Sequence, residues 1–247
     1  MKKYLFACIL SSVLLAQCSK KDSAASTSNL NNKSVGASAN DFLSASNYNT
    51  INIQLQYMPG YAPNAAALTN LVAFLNTLCN KPGGINITQA QIPASGKSVL
   101  ALADISALET ANRSQFNSGS VLSVYIVYLD APYTTANVLG VSYRNTSLAV
   151  FGPTMTANSG GLNQVSRAKL ESTVEEHEFG HLLGLVNLGS PMVTPHEDAA
   201  HAAHCNNVSC LMYYQTNTTS MGGVIINSPI PSLDANCRAD LTANGGK

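Results

Sequence analysis

Two histidines four residues apart, with a glutamate directly after the first, make His177-Glu178-Phe179-Gly180-His181 the place where this chain can do chemistry. On a helix, residues four apart share a face, so both imidazoles can point at one ion while Glu178 stands beside the water that the ion would hold. This is the layout of a zinc hydrolase, in which imidazoles bind the metal and a carboxylate serves as general base. The pentapeptide alone is also compatible with a solvated helix carrying two surface histidines, so its flanks decide its weight.

Those flanks read as a helix followed by a stop. From Gln164 to Leu185 there is no proline, and Leu170, Val174, Leu182 and Leu185 recur at helical offsets. Ser166 is the expected N-cap, and Glu171, Glu175 and Glu176 precede the histidines. Gly184 falls where the helix must end and the chain bend back, a position that suits a residue free to take positive φ.

Beyond the pentapeptide the sequence resembles the metzincin metallopeptidases, whose signature continues HExxHxxGxxH and is followed by a Met-turn. Here His181 is followed by Leu182-Leu183-Gly184-Leu185-Val186-Asn187, so the glycine is present and Asn187 stands where the third histidine would be. An amide oxygen is a poor zinc ligand compared with imidazole. Further on, His204-Cys205-Asn206-Asn207-Val208-Ser209-Cys210-Leu211-Met212 reads HCx4CxM and is similar to the archaemetzincin segment that follows the glycine turn directly. The resemblance implies an insertion from Asn187 to Ala203, His204 as third zinc ligand, and Met212 as the Met-turn methionine beneath the metal. The insertion carries His196, Glu197, Asp198 and His201 as further candidates, and all five histidines fall between His177 and His204. His196 and His201 also read as loop residues, and Met212 by itself as ordinary packing.

The resemblance implies a zinc endopeptidase acting on protein or peptide substrates. His177, His181 and His204 would hold Zn2+, Glu178 would act as general base, and Tyr213 or Tyr214 would either assist or simply pack. A gluzincin-type peptidase would instead use Glu197 as the third ligand. A reading of another class is a non-catalytic surface-binding lipoprotein with a structural or lost zinc site, although a purely structural site has no use for Glu178.

The elements that must position these groups follow the metzincin order, an α+β or α/β domain with a twisted mixed sheet, an active-site helix, a Met-turn and a C-terminal helix. Residues 50–57 alternate as a half-buried strand, 64–80 form an amphipathic helix, 85–92 a second strand and 97–116 a second helix. The β-rich run Val121 to Leu129 is the expected central strand, and 138–151 one or two more. The resemblance implies that Leu139 to Ala149 edges the cleft, where an extended peptide can add to the sheet. A terminal helix is expected over Ser232 to Leu241.

The N-terminus reads as an export signal. Lys2 and Lys3 precede a short apolar run, and Leu15-Ala16-Gln17-Cys18 resembles a lipobox, so residues 1–18 are expected to be a lipoprotein signal with Cys18 as lipid anchor. Residues 19–40 are rich in Ser, Ala and Asn and are expected to be a flexible tether, leaving 41–247 as the catalytic domain. These features imply a monomer held by its N-terminal lipid at the outer membrane of a bacterial cell envelope. A formal net charge of zero, with 11% charged residues and no basic stripe, argues against nucleic-acid binding. In an oxidising compartment Cys79, Cys205, Cys210 and Cys237 imply two disulfides of open connectivity. Archaemetzincins use four cysteines, HCx4C and a later CxxC, for a second zinc; Asp234-Ala235-Asn236-Cys237 lacks the first of the later pair, which favours disulfides over a second metal.

Overall fold

The computed structural model describes residues 30–216, 218–220 and 225–247. The signal sequence, the lipobox with Cys18 and the first part of the tether lie outside the described residues. Among those described, no helix is long and apolar enough to cross a membrane.

The chain builds a mixed five-stranded sheet in the order β2-β1-β3-β5-β4. The strands are β1 (Thr50–Tyr57), β2 (Ile85–Gln91), β3 (Val121–Leu129), β4 (Gly140–Arg144) and β5 (Ser147–Phe151). All neighbours run parallel except β4, which turns back antiparallel on β5. The expected run 138–151 is therefore a hairpin whose first strand forms one edge of the sheet.

Position in the sheet follows composition. In β3, Leu122, Val124, Ile126 and Tyr128 face one core while Tyr125, Val127 and Leu129 face another, so an uninterrupted apolar run marks a strand covered on both sides. In β1, Ile51, Ile53 and Leu55 join the first core. The alternate residues Gln54 and Gln56 turn to the other face and donate to Asn112 O.

The first core is closed by two helices, α2 (Ala65–Leu78) and α5 (Arg167–Leu182). Leu68, Leu71, Leu75 and Leu78 form the inner stripe of α2, each burial contributing about 1.5–3 kcal/mol. The second core is covered by α3 (Leu102–Asn112) through Ile105. This helix is shorter than the expected 97–116, because Leu100 N donates to Pro132 O and Arg113 turns inward to Glu109 and Ser123 O. Further helices among the described residues are α1 (Ala39–Leu43), α4 (Gly152–Ala157) and the terminal α6 (Ala235–Ala243).

The domain begins earlier than Asp41. Asn31 is buried, with its amide donating to Asn117 Oδ1, Ser123 O and Thr146 Oγ1, and Ala39 and Phe42 are buried as well. Residues 30–40 are thus part of the fold rather than tether. Their polar composition conceals this because asparagine enters the interior by satisfying buried backbone and side-chain groups, not by hydrophobicity.

Candidate metal centre

Helix α5 is the foundation of the site. Ser166 Oγ accepts from Lys169 N at 3.3 Å and caps the helix as expected, and from Leu170 to Leu182 every residue is buried. The helix runs between the sheet and the C-terminal loops, so its polar residues must find partners inside the protein. Glu171 accepts from Asn64 N and Arg167 Nε, and Glu175 accepts from Tyr128 Oη at 2.7 Å. The helix exits at Gly184, with φ +85°, where a Cβ would come within 2.4 Å of Ser190 N. This explains the glycine in both conformation and space.

Three imidazoles converge at the end of this helix. His177 Nδ1 lies 2.7 Å from Leu211 O, His181 Nδ1 3.1 Å from Leu185 O, and His204 Nδ1 3.0 Å from Ala202 O. A carbonyl oxygen only accepts, so each Nδ1 carries the proton and each Nε2 is left with its lone pair. The Nε2 atoms of His177 and His181 are 3.1 Å apart, and His204 Nε2 is buried with no hydrogen-bond partner. One ring nitrogen from each histidine falls within 4.8 Å of the other two. Facing lone pairs and an orphaned buried acceptor are costly by themselves, and a shared cation relieves both.

Electrostatics keep the rings ready to bind. Burial, reinforced by the neighbouring histidines, holds His177 well below the ordinary imidazole range, and burial lowers His181 to about 4. His204 is lowered by the same causes. All three are therefore neutral at neutral pH, the form that donates to a metal. Glu178 follows on the same helix turn. Its Oε2 accepts from Ser142 N at 2.6 Å, its backbone carbonyl accepts from Ser142 Oγ at 2.8 Å, and Gly140 leaves room for its Cγ. Edge strand β4 thus orients the carboxylate. Nothing in the sequence announced Ser142 or Gly140, because their roles depend on how β4 crosses α5.

Met212 lies under the helix, fully buried. A Cβ on Gly180 would meet its Sδ at 2.2 Å, so glycine inside the HExxH motif is what lets the methionine reach this depth. The other candidates fall elsewhere. Asn187 Nδ2 is 3.5 Å from Glu197 Oε2, and Glu197 Oε1 accepts from Ala203 N at 2.8 Å. Both side chains therefore tie the ends of the insertion together. His201 bonds Asp198 and stacks on Tyr214, ring centroids 3.5 Å apart, which gives that tyrosine a packing role.

The expected disulfides do not form. Cys79, Cys205, Cys210 and Cys237 are all buried free thiols. Cys79 ends α2, whereas the other three gather with His196 in a second group, Cys210 and Cys237 having their sulfurs 3.6 Å apart. An S–S bond requires about 2.05 Å. His196, Cys205, Asp234 and Cys237 also satisfy the proximity expected of metal donors.

Neither a family model nor a curated protein matches the chain. Among solved structures, its fold is similar to that of the archaemetzincin of Methanopyrus kandleri, with a TM-score of 0.50 and 13% identity, over 79% of this chain and 96% of that one. At this identity the likeness is one of fold, and the five-stranded mixed sheet with its helices is consistent with it.

Proposed function

We propose that the protein is a zinc-dependent endopeptidase with His177, His181 and His204 as ligands and Glu178 as general base. The observation that carries this reading is the convergence of three Nε2 lone pairs, each fixed by a carbonyl on Nδ1, with the Glu178 carboxylate close enough to act electrostatically on His204. Three neutral nitrogens are the protein ligands of a catalytic zinc site, in which water takes the fourth position, rather than of a closed four-ligand one. Zinc bound there would supply Lewis acidity toward a scissile carbonyl and acidify a water molecule.

The chain's own residues supply the rest. Ser142 N holds one carboxylate oxygen of Glu178, so the group is oriented before substrate arrives. Glu178 takes a proton from the attacking water and returns it to the leaving amine. Met212 supports the floor of the site, and β4, at the edge of the sheet, offers an extended peptide a strand to pair with. A gluzincin arrangement loses support because Glu197 is occupied at Ala203 N.

The test is Glu178→Gln in the full chain. Peptide hydrolysis should fall by about 100- to 10,000-fold while zinc at the histidines is retained, because the carboxylate serves the water and not the metal. Near-normal hydrolysis would remove the proposal, and so would wild-type protein that binds zinc there without cleaving any unfolded protein.

A further inference from the structure

The face of the sheet turned away from the histidines holds a group of charges that the hydrolysis does not use. We propose that the cavity between the end of α3, the turn from β4 to β5 and residues 31–32 binds one small oxyanion, a carboxylate or phosphate group, through the guanidinium of Arg144. The site is independent of the three histidines.

The charges do not balance. Glu109 Oε1 accepts from Arg113 Nη1 and from Ser147 Oγ, both at 2.7 Å, and its Oε2 accepts from Arg144 Nη1 at 3.0 Å. One carboxylate therefore serves two guanidiniums, and the group carries one positive charge in excess. The Glu109 and Arg113 side chains are almost wholly buried, at 2% and 1% exposure. The other bonds of Arg113 end on Gln115 O, Ser123 O, Thr146 Oγ1 and Ser147 Oγ, which are dipoles without a full charge. The carbonyl end of α3 likewise offers only partial charge. A buried charge short of a full counter-charge is costly, and burial accordingly draws Arg113 below the ordinary guanidinium range.

The missing charge has a place to bind. Beside these groups lies a cavity of about 300 Å³ lined by Asn31, Asn32, Glu109, Arg113, Phe116 and Arg144, among others, and Glu109 is the sole acid in its described lining. Arg144 uses only Nη1 on Glu109; its Nε and Nη2 have no hydrogen-bond partner among the described residues, and its side chain keeps 20% exposure. The Nε–Nη2 edge of a guanidinium presents two parallel N–H groups, the fork that matches the two oxygens of a carboxylate or phosphate. A purely structural ion pair has no use for this edge.

The walls are fixed before any ligand arrives. The Asn31 amide is tied to Asn117 Oδ1, Ser123 O and Thr146 Oγ1. Phe116 lies with its ring centroid 5.2 Å from Arg113 Cζ, so the buried guanidinium backs an aromatic surface that lines the same cavity. The volume exceeds that of a bare anion, and Phe116 gives a small apolar body somewhere to rest. A small organic acid or a phosphate ester with a short apolar part fits this chemistry.

Titration of the full chain with acetate and, separately, with inorganic phosphate tests the site, followed through the ¹⁵N–¹H signals of arginine Nε at constant ionic strength. The Nε signal that is missing in Arg144→Gln should move in the wild-type protein and saturate. Saturation with acetate alone assigns a carboxylate ligand, with phosphate alone a phosphate, and with both a general oxyanion site. Arg144→Gln should weaken binding by about 10- to 100-fold, the range of hydrogen bonds to charged groups. Arg144→Lys keeps the charge without the fork and should recover only part of that loss. Glu109→Gln should strengthen binding by about tenfold or more, because it removes a like charge from beside the anion. Should that variant be less stable, saturating anion must raise its melting temperature more than that of the wild type. An Arg144 signal that does not saturate with either anion would overturn the proposal, as would unchanged affinity in Arg144→Gln or weaker binding in a folded Glu109→Gln.

Discussion

The two donor groups share the dipeptide His204-Cys205 but are assembled by opposite means. In the first, α5 delivers His177 and His181 from one face by its own repeat, and one loop residue completes the set. In the second, His196 comes from the insertion, Cys205 from the turn that follows it and Cys237 from α6, with no two provided by one helical repeat. The helix-borne pair has its geometry built in as soon as α5 forms, whereas the second group exists only once distant segments have packed.

The sharpest way to break this contrast is to remove one ligand of each origin from the first site. His181→Ala and His204→Ala should each weaken zinc binding there by orders of magnitude, since two imidazoles do not make a catalytic site. Asn187→Ala, His201→Ala and Glu197→Ala should change it less than about threefold, as their side chains serve the insertion. Competition against a chromophoric chelator measures all five. Normal affinity in His204→Ala would mean that the helix-borne pair recruits its third ligand elsewhere.

A smaller effect is expected where α5 meets Met212. Gly180→Ala places a methyl group 2.2 Å from Sδ, and urea unfolding should show a loss of about 1–3 kcal/mol, the usual range for overpacking. Met212→Ala in the same chain should recover part of that loss, because it removes the obstructing atoms. Additive losses would show that the methionine does not constrain the helix.

The smallest effect is a dependence on pH that separates the histidines from the acids on the same helix. In the metal-free protein, His177 and His181 have folded pKa values below their unfolded values, so the unfolded chain binds more protons as the medium is acidified. Their contribution is intact above about 6.5 and is lost as pH falls toward about 4. Glu175 and Glu176, pushed up to about 8 by burial, act in the opposite sense, and stability drains as pH rises from about 4.5 through about 8. Glu175→Gln, which keeps an acceptor for Tyr128 Oη, should flatten the alkaline arm and leave the acid arm unchanged in thermal melts. An unchanged alkaline arm would show that Glu175 does not carry it.

What the sequence disclosed divides along the same line. His177, Glu178, His181, Ser166 and Gly184 were legible because helical spacing, capping and the helix stop are local rules. His204 and Met212 were found by resemblance of a short string, and the structure brings them beside α5. The sheet was largely visible as well, since β1 and β3 announce themselves by alternation and by an apolar run. The second donor group was hidden because Asp234 broke the expected cysteine pattern while His196 lay in what looked like an ordinary loop. Asn31 was hidden for a related reason: a polar segment can enter a fold through its hydrogen bonds. Ser142 could not be seen until β4 was laid against α5.

The bond from Ser142 N to Glu178 has one more effect. Each amide on the open side of an edge strand is a rung to which another chain can attach, and a row of free rungs invites indiscriminate pairing. Here one rung is already taken by a carboxylate. The ladder along β4 therefore has a gap beside Glu178, and any strand laid across it would lack a hydrogen bond at that step. Such a gap restricts the register in which a strand could add and makes the edge a poorer seed for aggregation, so a single hydrogen bond both orients an acid and disciplines a surface.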